Sequence, residues 1–290
     1  MEQSIRFCTT PDQIRLAYAT TGQGYPLVKA ANWLTHLEFD WQSPVWKHWW
    51  ESLSQRYQLI RYDERLCGLS DWEAAEFSMH AWVSDLETVV NQTGVERFAL
   101  LGVSQGASVA IAYTVRHPER VSHLILYGGY VQGRFHRNPS PEHQAECRML
   151  VDLIRHGWGK DNPAFRQVFS TLFLPEGTIE QTQWLNDLAR ITASPENAAR
   201  MEEAFYQTDV TDLAPQIAVP TLVLHAKGDA MCPFEGGRLM ATLIPNAKFV
   251  PLQSKNHILL EHEPAWEKFL QEIHQFLNSQ SETVLQNINS

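Results

Sequence analysis

The sequence has little that would tie it to a membrane, a metal or a disulfide framework. Its four cysteines, Cys8, Cys67, Cys147 and Cys232, are scattered with no C-x-x-C spacing. That argues against zinc and disulfide scaffolds and fits a reducing, cytoplasmic compartment. No apolar run reaches the length of a membrane span. The first residues, Met1-Glu2-Gln3-Ser4-Ile5-Arg6, carry an early acid and no apolar stretch, unlike a secretory signal. H-E-x-x-H and comparable ligand spacings are missing, so no metal site is expected. Internal repeats and low-complexity segments are missing too. Basic charge is scarce: 23 Lys and Arg stand against 33 Asp and Glu, a net charge of -10. Such a balance disfavours nucleic acid and anionic membrane surfaces as partners. It disfavours anionic substrates more mildly, since a local arginine cluster can override it.

What is present is a chain of 290 residues, long enough for one large α/β core with an inserted lobe. Short β-rich runs alternate with longer helical patterns, which predicts a mostly parallel sheet covered by helices. The start reads as a hairpin, Ile5 to Thr9 and Ile14 to Tyr18, turning at Pro11-Asp12. Strands are predicted at Pro26 to Ala31, Tyr57 to Tyr62, Phe98 to Val103 and Val121 to Tyr127. Helices are predicted near His80 to Thr93, capped by Gly94, and from Ala107 to His117.

From about Val131 to Asp212 the alternation stops, and only helices are predicted. Ser140-Pro141, Asn162-Pro163 and Ser194-Pro195 each read as an N-cap followed by a proline in the first helical position. Thr178 with Gln181 three residues on reads as a capping box. Phe165, Val168, Phe169, Leu172 and Phe173 share one helical face, and Trp184, Leu188 and Ile191 share another. The alternation resumes with a strand at Thr221 to His225, a helix near Glu235 to Ile244, a strand at Ala247 to Val250 and a helix from Pro264 to Leu277. The tail after Asn278 is polar. The predicted division is therefore a core of residues 1–130 and 213–278, a helical insertion over 131–212 and a tail over 279–290.

The chemistry centres on Gly102-Val103-Ser104-Gln105-Gly106. This pattern follows an apolar strand and opens a helix, the setting in which a serine is held on a strained turn with its hydroxyl exposed. Glycines two residues before and after it let strand and helix approach. A serine hydroxyl is a weak nucleophile and needs a base within hydrogen-bond reach. Chain order places the acid and then the histidine further on. Asp229 follows one strand in Ala226-Lys227-Gly228-Asp229, and His257 follows the next in Ser254-Lys255-Asn256-His257. Both lie in loops at the carboxyl edge of a parallel sheet, where side chains converge. The loop Gly128 to Gly133 holds no carboxylate, which favours Asp229; Asp209 and Asp212 are the competing acids. His36, His225 and His262 carry no such pattern and are read as surface or internally satisfied residues.

Nearly the whole chain resembles the α/β-hydrolase superfamily with a helical cap. The resemblance rests on Gly102 to Gly106, on Gly228-Asp229 with Pro233 four residues on, on Asn256-His257, and on Tyr62-Asp63-Glu64-Arg65 leading to Gly68-Leu69-Ser70-Asp71. Ala31-Asn32-Trp33-Leu34 and Arg61 to Trp72 are similar to bacterial hydrolase modules sometimes joined to LuxR-type or cyclase domains; no such partner domain is expected in this chain. Two positions depart from the common pattern. Ala31-Asn32 stands where many relatives have His-Gly, in the oxyanion loop, and Arg65-Leu66 stands where many have Arg-Gly.

The resemblance implies that residues 131–212 cap the active site. It implies a catalytic triad of Ser104, His257 and Asp229, with the backbone N–H groups of Trp33 and Gln105 as the oxyanion hole and no cofactor. Phe165, Phe169, Phe173 and Trp184 become candidates for the substrate pocket. The expected activity is hydrolysis of a small to medium uncharged carboxylic ester. Two rivals stand beside it: a carbon–carbon bond hydrolase, expected if the pocket carries cations for a dienoate, and a non-catalytic ligand-binding module.

Overall fold

The apolar runs become eight strands: β1 (Ser4–Thr9), β2 (Arg15–Thr21), β3 (Tyr25–Lys29), β4 (Tyr57–Tyr62), β5 (Phe98–Val103), β6 (Val121–Tyr127), β7 (Thr221–Ala226) and β8 (Lys248–Leu252). In this computed structural model, which describes residues 2–138, 140–160 and 163–278 without the side chains of residues 163 and 166, they form one sheet. The strand order is β1-β2-β4-β3-β5-β6-β7-β8. The pairs β1–β2 and β2–β4 are antiparallel, and every other neighbouring pair is parallel. β5, β6 and β7 are buried along their whole length, as strands covered on both faces must be. The hairpin turns at Pro11-Asp12, where the Thr10 hydroxyl accepts from the Ile14 N–H at 2.9 Å.

Eleven helices are described: α1 (Leu37–Trp41), α2 (Lys47–Ser54), α3 (Met79–Thr93), α4 (Gly106–Arg116), α5 (Arg134–Arg137), α6 (Pro141–Gly157), α7 (Pro163–Phe173), α8 (Ile179–Thr192), α9 (Pro195–Gln207), α10 (Phe234–Leu243) and α11 (Pro264–Asn278). The predicted start signals act as read. Ser140 caps α6, Ser194 caps α9, and Thr178 with Gln181 closes a capping box on α8. Gly94 ends α3 with φ 72°. Asn162 and the tail over 279–290 lie outside the described residues.

α1 and α2 were not anticipated. For α2 the signal is Trp46, Trp49, Trp50 and Leu53 at i, i+3, i+4 and i+7, all buried, and the helix packs on β4. Trp49 also donates its indole N–H to the Leu259 carbonyl at 2.9 Å.

Helices α5 to α9 all fall between β6 and β7. The two ends of this segment are tied to each other: Gly133 N–H donates to Thr208 O at 2.7 Å, and Val210 N–H to Val131 O at 2.8 Å. Further bonds join it to core loops, including Gly68 N–H to Thr192 O at 2.8 Å and the Thr192 hydroxyl to Thr35 O at 2.6 Å. The apolar face of α7 is narrower than its sequence suggests. Phe165, Phe169 and Phe173 are buried, while Val168 is exposed. On α8, Leu188 is buried and Ile191, in the last turn, faces out.

Candidate active site

β5 runs into α4 through a single sharp turn at Ser104, whose φ is 54°. A non-glycine residue in this left-handed region is strained and must be held by its surroundings. Here the holding bond is Ser104 N–H to Tyr127 O, 2.9 Å. The flanking glycines have a steric cause. A Cβ on Gly102 would sit 2.6 Å from Ala107 Cα, and one on Gly106 would sit 2.7 Å from Ala31 O. The Ser104 hydroxyl faces the Cys232 thiol at 3.9 Å.

Asp229 lies just past β7, fully held. One carboxylate oxygen accepts from Met231 N–H at 2.9 Å and Cys232 N–H at 2.8 Å. The other lies 2.6 Å from Nδ1 of His257. Nδ1 therefore carries the proton and Nε2 presents its lone pair. Nε2 is buried and has no hydrogen-bond partner. The backbone of His257 is clamped from both sides, its N–H donating to Phe173 O and its carbonyl accepting from the Tyr127 hydroxyl, each at 2.9 Å. The ring meets Phe173 edge-on at 5.4 Å. Ser104 and His257 line one cavity, together with Phe173, Leu185, Leu188 and Ile258.

The competing groups take other roles. Asp209 accepts from the Thr211 hydroxyl and N–H, and Asp212 is exposed. His225 is buried 3.7 Å from Asp229, but its Nε2 donates to Cys232 O at 2.7 Å, and burial holds its pKa below the ordinary value despite Asp229. His36 caps α1 through Nδ1, and His262 is exposed.

Asn32, Trp33, Ser104 and Gln105 line a second cavity that also reaches the serine. The N–H groups of Trp33 and Gln105 make no hydrogen bond within the described protein. The loop that carries Trp33 is set by a residue the sequence did not flag. Lys29, buried at the end of β3, donates to Ala30 O at 3.2 Å and to the Asn32 side-chain oxygen, and Asn32 in turn donates to Trp33 O at 3.1 Å. Burial, with Arg61 nearby, pushes the Lys29 ammonium down to about 7. The departure at Ala31-Asn32 is thus matched by a buried lysine that anchors it.

Of the four aromatic pocket candidates, Phe173 lines both cavities that reach Ser104. Phe165 and Phe169 line a neighbouring cavity with Trp158 and Leu34. Trp184 lines neither cavity at the serine; it is stacked on Phe39 with ring centroids 5.0 Å apart. The residues that sequence reasoning missed are polar: Arg134, Arg137, Glu202 and Tyr206, all in the second cavity. Arg134 and Arg137 stand one helical turn apart on α5, just after the loop Gly128 to Gly133. Among the described residues no three His, Cys, Asp or Glu side chains cluster as metal ligands, and no helix is long and apolar enough to cross a membrane.

Comparison with known proteins identifies the family and the fold. Residues 41–264 match the family described as alpha/beta hydrolase fold. The chain is 26% identical over 277 residues to the AB hydrolase superfamily protein YisY of Bacillus subtilis, covering 94% of this chain and 99% of that one. It is 26% identical over 248 residues to 2-hydroxymuconate semialdehyde hydrolase of Pseudomonas putida, covering 77% and 78%. Among solved structures, an esterase from Exiguobacterium antarcticum superposes with a TM-score of 0.77 at 25% identity, covering 94% of this chain and 98% of that one.

Proposed function

This chain belongs to the α/β hydrolase family, and from that premise we propose that it is a serine esterase acting on small to medium carboxylic esters. The observation that carries the reading is the shared cavity: Ser104, on its strained turn, lines the same space as His257, whose Nδ1–H is locked on Asp229. In this reading a rotation of the Ser104 side chain brings its hydroxyl to Nε2. Catalytic hydrogen bonds of this kind tighten in the substrate complex. His257 takes the proton as Ser104 attacks the carbonyl, and it returns the proton to the leaving alcohol. Asp229 keeps the tautomer and stabilises the imidazolium. The free N–H groups of Trp33 and Gln105 receive the oxyanion, a donor pair whose members are each worth about a hundred- to a thousandfold in turnover. Water then attacks the acyl-enzyme by the same steps in reverse order.

The carbon–carbon bond hydrolase alternative uses the same residues. It is favoured by the two arginines of the second cavity. A panel of p-nitrophenyl esters of increasing acyl length, run beside a 2-hydroxy-6-oxo-dienoate followed by loss of its visible absorbance, separates the two. Ester turnover abolished by Ser104→Ala, with the dienoate left intact, supports the esterase. The reverse pattern replaces it with the second reading.

A further inference from the structure

We propose that the cavity on the acyl side of Ser104 is a binding site for an acidic group, so that the preferred ester carries a carboxylate on its acyl chain, held by Arg134 and Arg137. The proposal rests on the reading of Ser104 as the nucleophile and His257 as the base.

Two cavities meet at Ser104, and the chemistry assigns them. His257 must deliver its proton to the leaving alcohol, so the leaving group occupies the cavity that His257 lines, with Leu185, Leu188 and Ile258. The other cavity lacks His257 and takes the acyl chain. Its lining combines apolar groups, among them Phe173, Met231 and Cys232, with a polar set of Arg134, Arg137, Glu202 and Tyr206.

The two arginines spend few of their hydrogen-bond donors on the fold. The Arg134 side chain makes no hydrogen bond and no ion pair within 4 Å among the described residues; its guanidinium lies over the Tyr206 ring at 5.4 Å. Arg137 spends only Nε, on Gln132 O at 2.7 Å, and its guanidinium lies over Tyr130 at 4.7 Å. Both guanidinium groups thus lie over aromatic rings with their outer N–H groups unused, donors of the kind that carboxylate recognition employs. Gln105 adds a third element: its side chain is buried and neither amide atom has a partner. Burying an amide without a partner is costly, and Nε2 of Gln105 is a ready donor to an anion.

The one opposing charge is Glu202, buried and with one oxygen unpartnered. Two arginines against one glutamate leave the cavity positive or, with Glu202 protonated, more so. Burial pushes the Glu202 carboxyl above its ordinary range, against the pull of Tyr206, Arg134 and Arg137. The net charge of -10 suggested an uncharged substrate; at this cavity the local arginines reverse that field.

The test compares p-nitrophenyl valerate with mono-p-nitrophenyl glutarate, matched in chain length. The wild-type protein is expected to prefer the glutarate ester by about tenfold or more in kcat/KM, mainly through KM, as charge-assisted contacts of this kind allow. Arg134→Gln should lower that preference about tenfold, Arg137→Gln should lower it too, and Glu202→Gln should raise it. Circular dichroism identifies any variant that fails to fold, and the remaining two then decide. A wild-type ratio near one, or a ratio unmoved by every folded variant, overturns the proposal. If neither ester is cleaved faster than by Ser104→Ala, the esterase reading fails separately. Calorimetric titration with glutarate then judges the subsite. Binding weakened about tenfold by Arg134→Gln upholds it, and no binding to the wild-type protein overturns it.

Discussion

The hydroxyl of Ser104 lies 3.9 Å from the thiol of Cys232 and makes no hydrogen bond to His257, whose Nε2 has no partner. Burial first, and then the charge of Asp229, pushes that thiol up to about 12. It is protonated at neutral pH, so it offers the serine a weak partner and has no nucleophilic character of its own. Ser104→Ala should therefore lose about a millionfold in turnover, with no rescue by Cys232. In the wild-type protein a phosphonate ester should label Ser104 alone, and a disulfide reagent should modify none of the four buried cysteines until the protein is unfolded. Fast native modification of Cys232, or retained activity in Ser104→Ala, contradicts this assignment.

Asp229 is held by two backbone N–H donors and by His257, so its role is orientation as much as charge. Asp229→Asn should keep the fold, because an amide oxygen can still accept from Met231 and Cys232. It can also turn its NH2 toward Nδ1, which favours the wrong imidazole tautomer. The expected fall in kcat is about ten-thousandfold. Asp212→Asn, at an exposed position, should stay within about twofold. Equal kinetics for the two variants would remove Asp229 from the triad.

Much of this was legible because steric rules write themselves into short motifs. Gly102, Ser104 and Gly106 had to be small or strained for β5 and α4 to meet, and the Ser-Pro and Thr-x-x-Gln starts of α6, α8 and α9 name their own hydrogen bonds. What stayed hidden depends on distant partners. Nothing local to Lys29 says that it is buried beneath the oxyanion loop, since the charges around it, Arg61, Asp40 and Glu64, arrive from other segments. The arginines of α5 look like surface charge until α9 brings Glu202 and Tyr206 beside them. For α7 the sequence shows an apolar face, yet only packing decides that Phe173 lines the cavities at the serine while Phe165 and Phe169 line a neighbouring one that lacks the serine.

Trp33 supplies a backbone N–H to the reading of the site but a side chain to the core. Its ring packs on Trp158 at 5.5 Å, Phe173 at 6.1 Å and Phe169 at 6.2 Å, and its indole N–H has no partner. Trp33→Ala should destabilise the protein by about 3–5 kcal/mol, while kcat of the folded fraction stays within about tenfold. Trp33→Phe should cost less, since no hydrogen bond is lost. Urea unfolding and steady-state kinetics on both variants check this. A thousandfold fall in kcat for a folded Trp33→Phe would mean that the indole itself takes part in the chemistry.

The most direct test of the buried charges behind the oxyanion loop is the pH dependence of stability. Glu64 is buried with one oxygen unpartnered, and burial, reinforced by Asp85 and opposed by Lys29 and Arg65, raises its carboxyl from 4.5 to about 8. Between those values the unfolded chain has released the proton and the native protein keeps it. The native state then binds more protons, so the Glu64 contribution to stability falls as pH rises from about 4.5 to about 8 and is level above that. Lys29, lowered from 10.5 to about 7, acts in the opposite direction, but only above pH 7. Between pH 5 and 7 Asp40, raised to about 7, and Asp85, raised to about 6, act in the same direction as Glu64, so the Glu64 share is read as a difference from a variant. Glu64→Gln removes the titration while keeping the shape of the side chain. The difference in unfolding free energy, variant minus wild type, should grow in that window with a slope approaching but not exceeding about 1.4 kcal/mol per pH unit, the limit for one proton. Urea titrations at pH 5, 6 and 7 measure it. Parallel curves for the two proteins would show that Glu64 titrates as an ordinary carboxylate.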